Sequence, residues 1–120
     1  MHELAICLAL LDQVEGIVRE QQAKRVRALV LRIGPLAGVE TEALQRAYSV
    51  ASAGTSAAQA QLLIERSSVR IRCLDCTAEA DVPGHRLLCA ACGSWHIRVV
   101  SGDELLLVRV DLDRELVDHV

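Results

Sequence analysis

Apolar residues in the opening stretch MHELAICLALLDQVEGIVRE return at three- and four-residue steps, as Leu4, Leu8, Leu11, Val14 and Val18. Glu15, Arg19 and Glu20 fall on other faces, so the pattern predicts an amphipathic helix of about 20 residues, from near Glu3 to near Gln22, with that stripe turned inward. The period then changes. In RVRALVLRIG, Val26, Ala28, Val30 and Arg32 alternate with Arg27, Leu29, Leu31 and Ile33, and β-branched residues are frequent. This predicts a strand covered on both faces for most of its length and ended by Gly34 and Pro35. Beyond the GPLAG turn, Thr41 is placed to cap a second helix, whose Leu44, Ala47, Tyr48 and Ala51 share a face and whose Gly54 supplies a stop. LLIERSSVRIRC reads as a second strand and ELLLVRVDL as a third.

The order helix, strand, helix, strand, cysteine-bearing segment, strand predicts an α+β fold: two helices packed on a small three-stranded sheet, interrupted by a zinc-ribbon-like insertion. The chain is expected to leave its core near residue 71 and re-enter near 101, which gives one domain from 1–70 plus 102–120 and a second from 71–101. At 120 residues with 52% hydrophobic and 24% charged content, the chain can bury roughly two-thirds of its unfolded surface. Aromatics are only 2%, Tyr48 and Trp95 with no Phe, so the core must be aliphatic. The LAICLALL run follows Glu3 rather than a basic segment and lacks a small-residue cleavage site, which argues against a signal peptide. It is also far shorter than the roughly 20 apolar residues of a membrane span. A cytoplasmic address and no membrane partner are therefore expected. In that reducing compartment the five cysteines read as metal ligands or buried thiols.

The segment CLDCTAEADVPGHRLLCAAC holds two C-x-x-C pairs, Cys73 with Cys76 and Cys89 with Cys92, separated by twelve residues. Two such knuckles can meet and offer four thiolates in a tetrahedron, the geometry of closed structural Zn(II) sites. Ala90, Ala91, Gly93 and Ser94 are small enough to let backbone amides approach the sulfurs. A rubredoxin-like iron site is the second reading, and a redox dithiol would leave one pair unexplained. Four thiolates leave no open position for catalysis. An insertion of about 30 residues has too little core to fold by itself, so zinc is expected to supply its folding free energy. Cys7, one turn after Glu3, reads as a small buried hydrophobe.

A net charge of −3 and a pI near 5.8 argue against a nucleic-acid partner, which usually meets a basic footprint and stacking aromatics. Arg70, Arg72, Arg86 and Arg98 nonetheless offer a local basic face. No phosphate-cradling glycine loop and no convergent acid, base and nucleophile are visible, so an enzyme is not expected. The amino terminus carries different chemistry. A bulky second residue leaves the initiator methionine in place, so the Met1 amine, the His2 amide and the His2 imidazole can close fused chelate rings, with the Glu3 amide as a further nitrogen. Amines and deprotonated amides in a plane favour Ni(II) or Cu(II) over zinc.

MHELAIC, RVRALVLRIGPLAGVETEAL, AGTSAAQAQLLIE, the paired C-x-x-C knuckles and SGDELLLVRVDLD, in that order, resemble the hydrogenase maturation nickel metallochaperone family HypA/HybF. The likeness covers nearly the whole chain. It implies a nickel-binding domain over 1–70 plus 102–120 and a zinc-binding domain over 71–101. Met1 and His2 would be nickel ligands, with Glu3 adding its amide or tuning the site, and Cys73, Cys76, Cys89 and Cys92 would hold structural zinc. Glu40 falls where the family often has an acidic residue near nickel. His85 and His96 read as surface histidines beside the zinc segment, and His119 as a solvated residue near the end. The second knuckle departs from the common pattern in lacking a proline after its first cysteine. The resemblance further implies delivery of Ni(II) to the large subunit of a [NiFe]-hydrogenase, with the GTPase accessory protein HypB as a partner, and it admits a homodimer. A zinc-ribbon module binding protein or nucleic acid is the alternative.

Overall fold

The structure, a computed structural model, describes residues 2–114. The elements run α1 (Glu3–Glu20), β1 (Arg25–Ile33), α2 (Thr41–Ala51), β2 (Gln61–Arg66), β3 (Val69–Cys73), β4 (Glu79–Val82), β5 (Ile97–Ser101) and β6 (Leu105–Asp113). They sort into two compact units, the first built from residues up to Leu31, from Val39–Ile64 and from Leu107 onward, the second from Arg32–Gly38 and Glu65–Leu106.

In the first unit α1 and α2 pack together, and the sheet has the order β2-β1-β6. Its core is aliphatic but for one ring, as the composition requires: Leu10, Leu11, Val14 and Val18 from α1, Val26, Leu29, Val30 and Leu31 from β1, and Leu44 with the aromatic Tyr48 from α2. Tyr48 is buried with its hydroxyl donating to the Ala57 carbonyl at 3.1 Å, which satisfies its one polar atom. The Glu15 carboxylate ties α1 to the loop after α2, accepting from the Ser56 amide at 2.8 Å and hydroxyl at 2.9 Å. Among the described residues no helix is long and apolar enough to cross a membrane.

Two expectations for this unit are corrected. The buried stripe of α1 begins Glu3, Cys7, Leu10 and Leu11, while Leu4 and Leu8 are 46% and 55% exposed. The two sets share Leu11, Val14 and Val18 and part only in the first two turns, where the inner positions fall one residue earlier. Glu3 takes the inner position because its carboxylate accepts from the Glu40 amide at 3.2 Å, a bond that offsets its burial. The N-cap of α2 is Glu40 rather than Thr41: its carboxylate accepts from the Ala43 amide at 3.2 Å. Gly54, at φ +79, lies past the end of the helix in the left-handed region that a stop signal needs.

LLIERSSVRIRC is not one strand. It breaks at Ser67 and Ser68, so that β2 joins one sheet and β3 the other. The second sheet has the order β4-β3-β5, all antiparallel, with Val69 opposite Val82 and Cys73 opposite Ile97. Val69, Ile71 and Val82 form its small core, with Leu87 and Ile97 packed against it. This unit is larger than an insertion of 71–101, because the β3 ladder starts at Val69 and because the GP pair after β1 packs into it. A Cβ on Gly34 would stand 2.1 Å from the Gly102 carbonyl oxygen. The Gly34 amide donates to Glu104 O at 2.9 Å and the Leu36 amide to Gly102 O at 2.8 Å.

Glu104 is the polar hub of that contact. Its carboxylate accepts from the Ser67 hydroxyl at 2.6 Å and the Gly102 amide at 2.7 Å. The Ser67 hydroxyl above all, and then the amides of Glu104 itself and Gly102, hold this carboxylate below its ordinary value of 4.5. A carboxylate depressed in the folded state stabilises above its unfolded value, and that contribution disappears as pH falls through the folded value. Glu104→Gln is therefore expected to be less stable near neutral pH and to lose less stability than the parent on acidification below 4.5, as urea unfolding across a pH series would show.

Candidate metal centres

The end of β3 delivers Cys73 into a tight turn. The Thr77 amide donates to Cys73 O at 3.1 Å, and the Asp75 and Cys76 amides both donate to Cys73 Sγ at 3.3 Å. The second knuckle repeats this backbone. Gly93 donates to Cys89 O at 2.8 Å and Cys92 to Cys89 Sγ at 3.4 Å. In both, the residue after the second cysteine is left-handed, Thr77 at φ 66 and Gly93 at φ 77. Glycine adopts this conformation freely, whereas a β-branched residue is strained by about 1 kcal/mol or more. Thr77→Gly is accordingly expected to stabilise the metal-loaded protein by about 1 kcal/mol in chemical denaturation.

The four sulfurs lie within 4.8 Å of one another, with Cys73 to Cys92 and Cys76 to Cys89 each at 3.6 Å. A tetrahedral thiolate site with metal–sulfur bonds of about 2.3 Å separates its sulfurs by about 3.8 Å, so the donor set fits Zn(II). The electrostatics favour the same conclusion. The Cys76 amide, above other causes, lowers the Cys73 thiol, and the Cys92 amide brings the Cys89 thiol down to about 6. Cys76 and Cys92 also receive amides, from Ala78 and Ser94, yet the facing thiols push them up, Cys92 to about 12. The first cysteine of each knuckle is thus prepared as a thiolate, and a dication relieves the repulsion that holds protons on the other two.

A bridge between the knuckles escaped the sequence reading. The Ser94 hydroxyl donates to Asp75 Oδ2, and His96 Nδ1 lies 3.4 Å from the same oxygen, with its ring 4.2 Å from that of Trp95. The Ser94 hydroxyl first, and then His96, lower the Asp75 carboxylate. An Asp between the paired cysteines and a Ser two residues after the last one were the available signal. His85 is exposed, as expected, and so is His96.

At the other candidate centre, His2 is the N-cap residue of α1 but makes no side-chain capping bond, and it is exposed. Its carbonyl accepts from the Ile6 amide at 3.1 Å. The adjacent Glu3 is buried with its carboxylate on the Glu40 amide, so Glu40 does come to the α1 start, through its backbone. Met1 and His119 lie outside the described residues. Cys7 is fully buried, its thiol donating to Leu44 O at 3.6 Å, and burial followed by the charge of Glu3 pushes that thiol up. It is a packed, protonated core residue, as anticipated.

The family model described as HypA, hydrogenase/urease nickel incorporation, metallochaperone, matches residues 1–112. The hydrogenase maturation factor HypA of Nitrosospira multiformis is 47% identical over 112 residues, covering 93% of this chain and 97% of that protein. The factor of the same name from Chlorobium luteolum is 40% identical over 115 residues, covering 96% and 98%. The solution structure of the Ni metallochaperone HypA from Helicobacter pylori superposes with a TM-score of 0.68 at 20% identity, covering 96% of this chain and all (100%) of that one. A second solution structure of a HypA protein gives 0.73 at 21% identity, covering 96% and 98%. At such identities the two structures show a shared fold.

Proposed function

Because the chain belongs to the HypA family of nickel incorporation metallochaperones, maturation factors rather than enzymes, we propose that it binds Ni(II) at its amino terminus and delivers it to the large subunit of a [NiFe]-hydrogenase. The observation that carries this is the free, exposed imidazole of His2 at the mouth of α1. The Met1 amine, the His2 amide and imidazole and the Glu3 amide are the nitrogen donors of the chelate. One oxygen of the Glu3 carboxylate accepts from the Glu40 amide and so anchors the helix start, and the proposed contribution of Glu3 to the chelate is its amide. A partly open, solvent-facing donor set permits ligand exchange, because an incoming group attacks before the old ones have left. The GTPase accessory protein HypB is the proposed partner that supplies nickel or times its transfer, in the cytoplasm.

Cys73, Cys76, Cys89 and Cys92 are the proposed ligands of structural zinc, which when bound neutralises the thiolate charge and cross-links the two knuckles. The test is nickel titration by calorimetry and absorbance on untagged protein, beside His2→Ala and a variant carrying one extra residue before Met1. The extra residue keeps the imidazole and displaces the amine. Both variants are expected to lose nickel affinity by about a hundredfold or more while retaining zinc. If all three bind nickel alike, the amino terminus is not the site, and a zinc-ribbon binding module becomes the function to pursue.

A further inference from the structure

The second sheet turns one face to solvent, and its charges are unevenly matched. Directly opposed residues of an antiparallel pair share a face, which places Glu79 and Asp81 of β4, Arg70 and Arg72 of β3, and Arg98 of β5 on one exposed surface. Arg70 is satisfied twice over, by Glu79 at 3.3 Å and Asp81 at 3.0 Å. Arg72 has only a 3.9 Å approach to Glu79, whose other oxygen is already engaged by Arg70. Arg98 has no ion pair or hydrogen bond from its guanidinium among the described residues, and its cross-strand partner is Arg72. Like charges directly opposite each other destabilise a sheet. β5 also carries Val100, which is 51% exposed.

We infer that Arg72 and Arg98 form a docking surface for an acidic, partly apolar segment of a partner protein. A carboxylate set between the two guanidiniums removes their repulsion and gains charge-assisted hydrogen bonds. Val100 offers apolar contact on the same strand as Arg98. Edge strands often carry a charge simply to discourage aggregation, but one arginine serves that purpose, and a second placed directly across from it adds cost without adding protection. A protein segment is favoured over nucleic acid because only two guanidiniums lack close partners on this face, and the chain as a whole carries −3, which repels a phosphate backbone at range. No proposed nickel ligand takes part, so nickel delivery and this surface stand or fall separately.

The test is an NMR titration of the full, zinc-loaded chain with a short peptide of alternating glutamate and valine, beside an oligothymidylate of equal charge. Amides of β3 and β5 are expected to shift saturably with the peptide. Arg72→Ala/Arg98→Ala weakens that binding about tenfold or more, whereas Arg27→Ala/Arg46→Ala, which removes the same charge from the exposed surface of the first unit, changes it by less than about twofold. Arg98→Glu abolishes peptide binding yet raises the melting temperature by about 2 °C, because it turns a like pair into an opposite one. That combination is one a purely structural arginine does not give. Peptide binding that survives Arg98→Glu, an equal loss in the Arg27/Arg46 control, or a lowered melting temperature in Arg98→Glu overturns the inference. Tighter binding of the oligothymidylate through the same two arginines overturns it in favour of nucleic acid.

Discussion

Cys89→Ser is expected to release the metal and unfold the second unit while the first keeps its fold. The core of the second unit is Val69, Ile71 and Val82 with Leu87 and Ile97 against them, too little apolar burial to offset the ordering of its chain. The bound metal then supplies folding free energy on the order of 10 kcal/mol. Serine keeps the size of the side chain but offers a poor ligand, and the Cys92 amide that donates to Cys89 Sγ loses its thiolate acceptor. The first unit holds Leu29, Leu31, Leu44 and Val14 in its own interior and has no share in the thiolates. The chain's single tryptophan, Trp95, stands three residues beyond Cys92, so its fluorescence reports this unit alone. Amide NMR should show the resonances of 69–101 collapsing while those of α1 and β1 persist, and a strong chelator should reproduce the effect in the parent protein. Dispersed resonances for 69–101 in metal-free protein would show that the small core suffices.

Gly34→Ala carries the next largest effect. The added methyl would stand 2.1 Å from a backbone oxygen and 2.3 Å from the carbonyl carbon of Gly102, and neither atom can rotate away as a side chain does. Relief requires parting the segment 32–38 from the turn at Gly102, which breaks the Gly34 to Glu104 and Leu36 to Gly102 hydrogen bonds. A loss of about 3 kcal/mol or more is expected, beyond ordinary overpacking because backbone meets backbone. Gly38 is the matched control: a Cβ there meets nothing within 4 Å, and only its φ of +73 resists alanine, which costs about 1 kcal/mol. Urea denaturation of both variants would separate the two mechanisms, and equal losses would mean that Gly34 is needed for something other than close approach.

The lengths and order of α1, β1, α2 and β6 were legible because their periods are long and their ends carry glycine, proline or a polar break. The inner face of α1 was not. Leu4 and Leu8 have the better hydrophobic credentials, but Glu3 and Cys7 occupy the same period one residue earlier, and the choice is made by a hydrogen bond to Glu40, 37 residues along the chain. The second sheet was hidden for a similar reason. EADV and IRVVS are short, mixed segments whose strand character comes from pairing with β3 on either side, and no local pattern announces a partner. The four cysteines needed no such context, since their spacing alone implies that two knuckles meet. At the amino terminus the sequence shows which donors exist, and the fold adds that Glu3 is buried with one carboxylate oxygen on the Glu40 amide while His2 is exposed.

The contact between Gly34 and Gly102 joins two pieces of chain that are far apart in sequence. Closing so long a loop carries an entropic cost that the short β3–β4 connection does not. In refolding, the docking of the GP segment on the Gly102 turn is therefore expected to come after the β3–β4 hairpin has formed, as a slower and later protection of the Gly34 and Leu36 amides in pulsed hydrogen exchange.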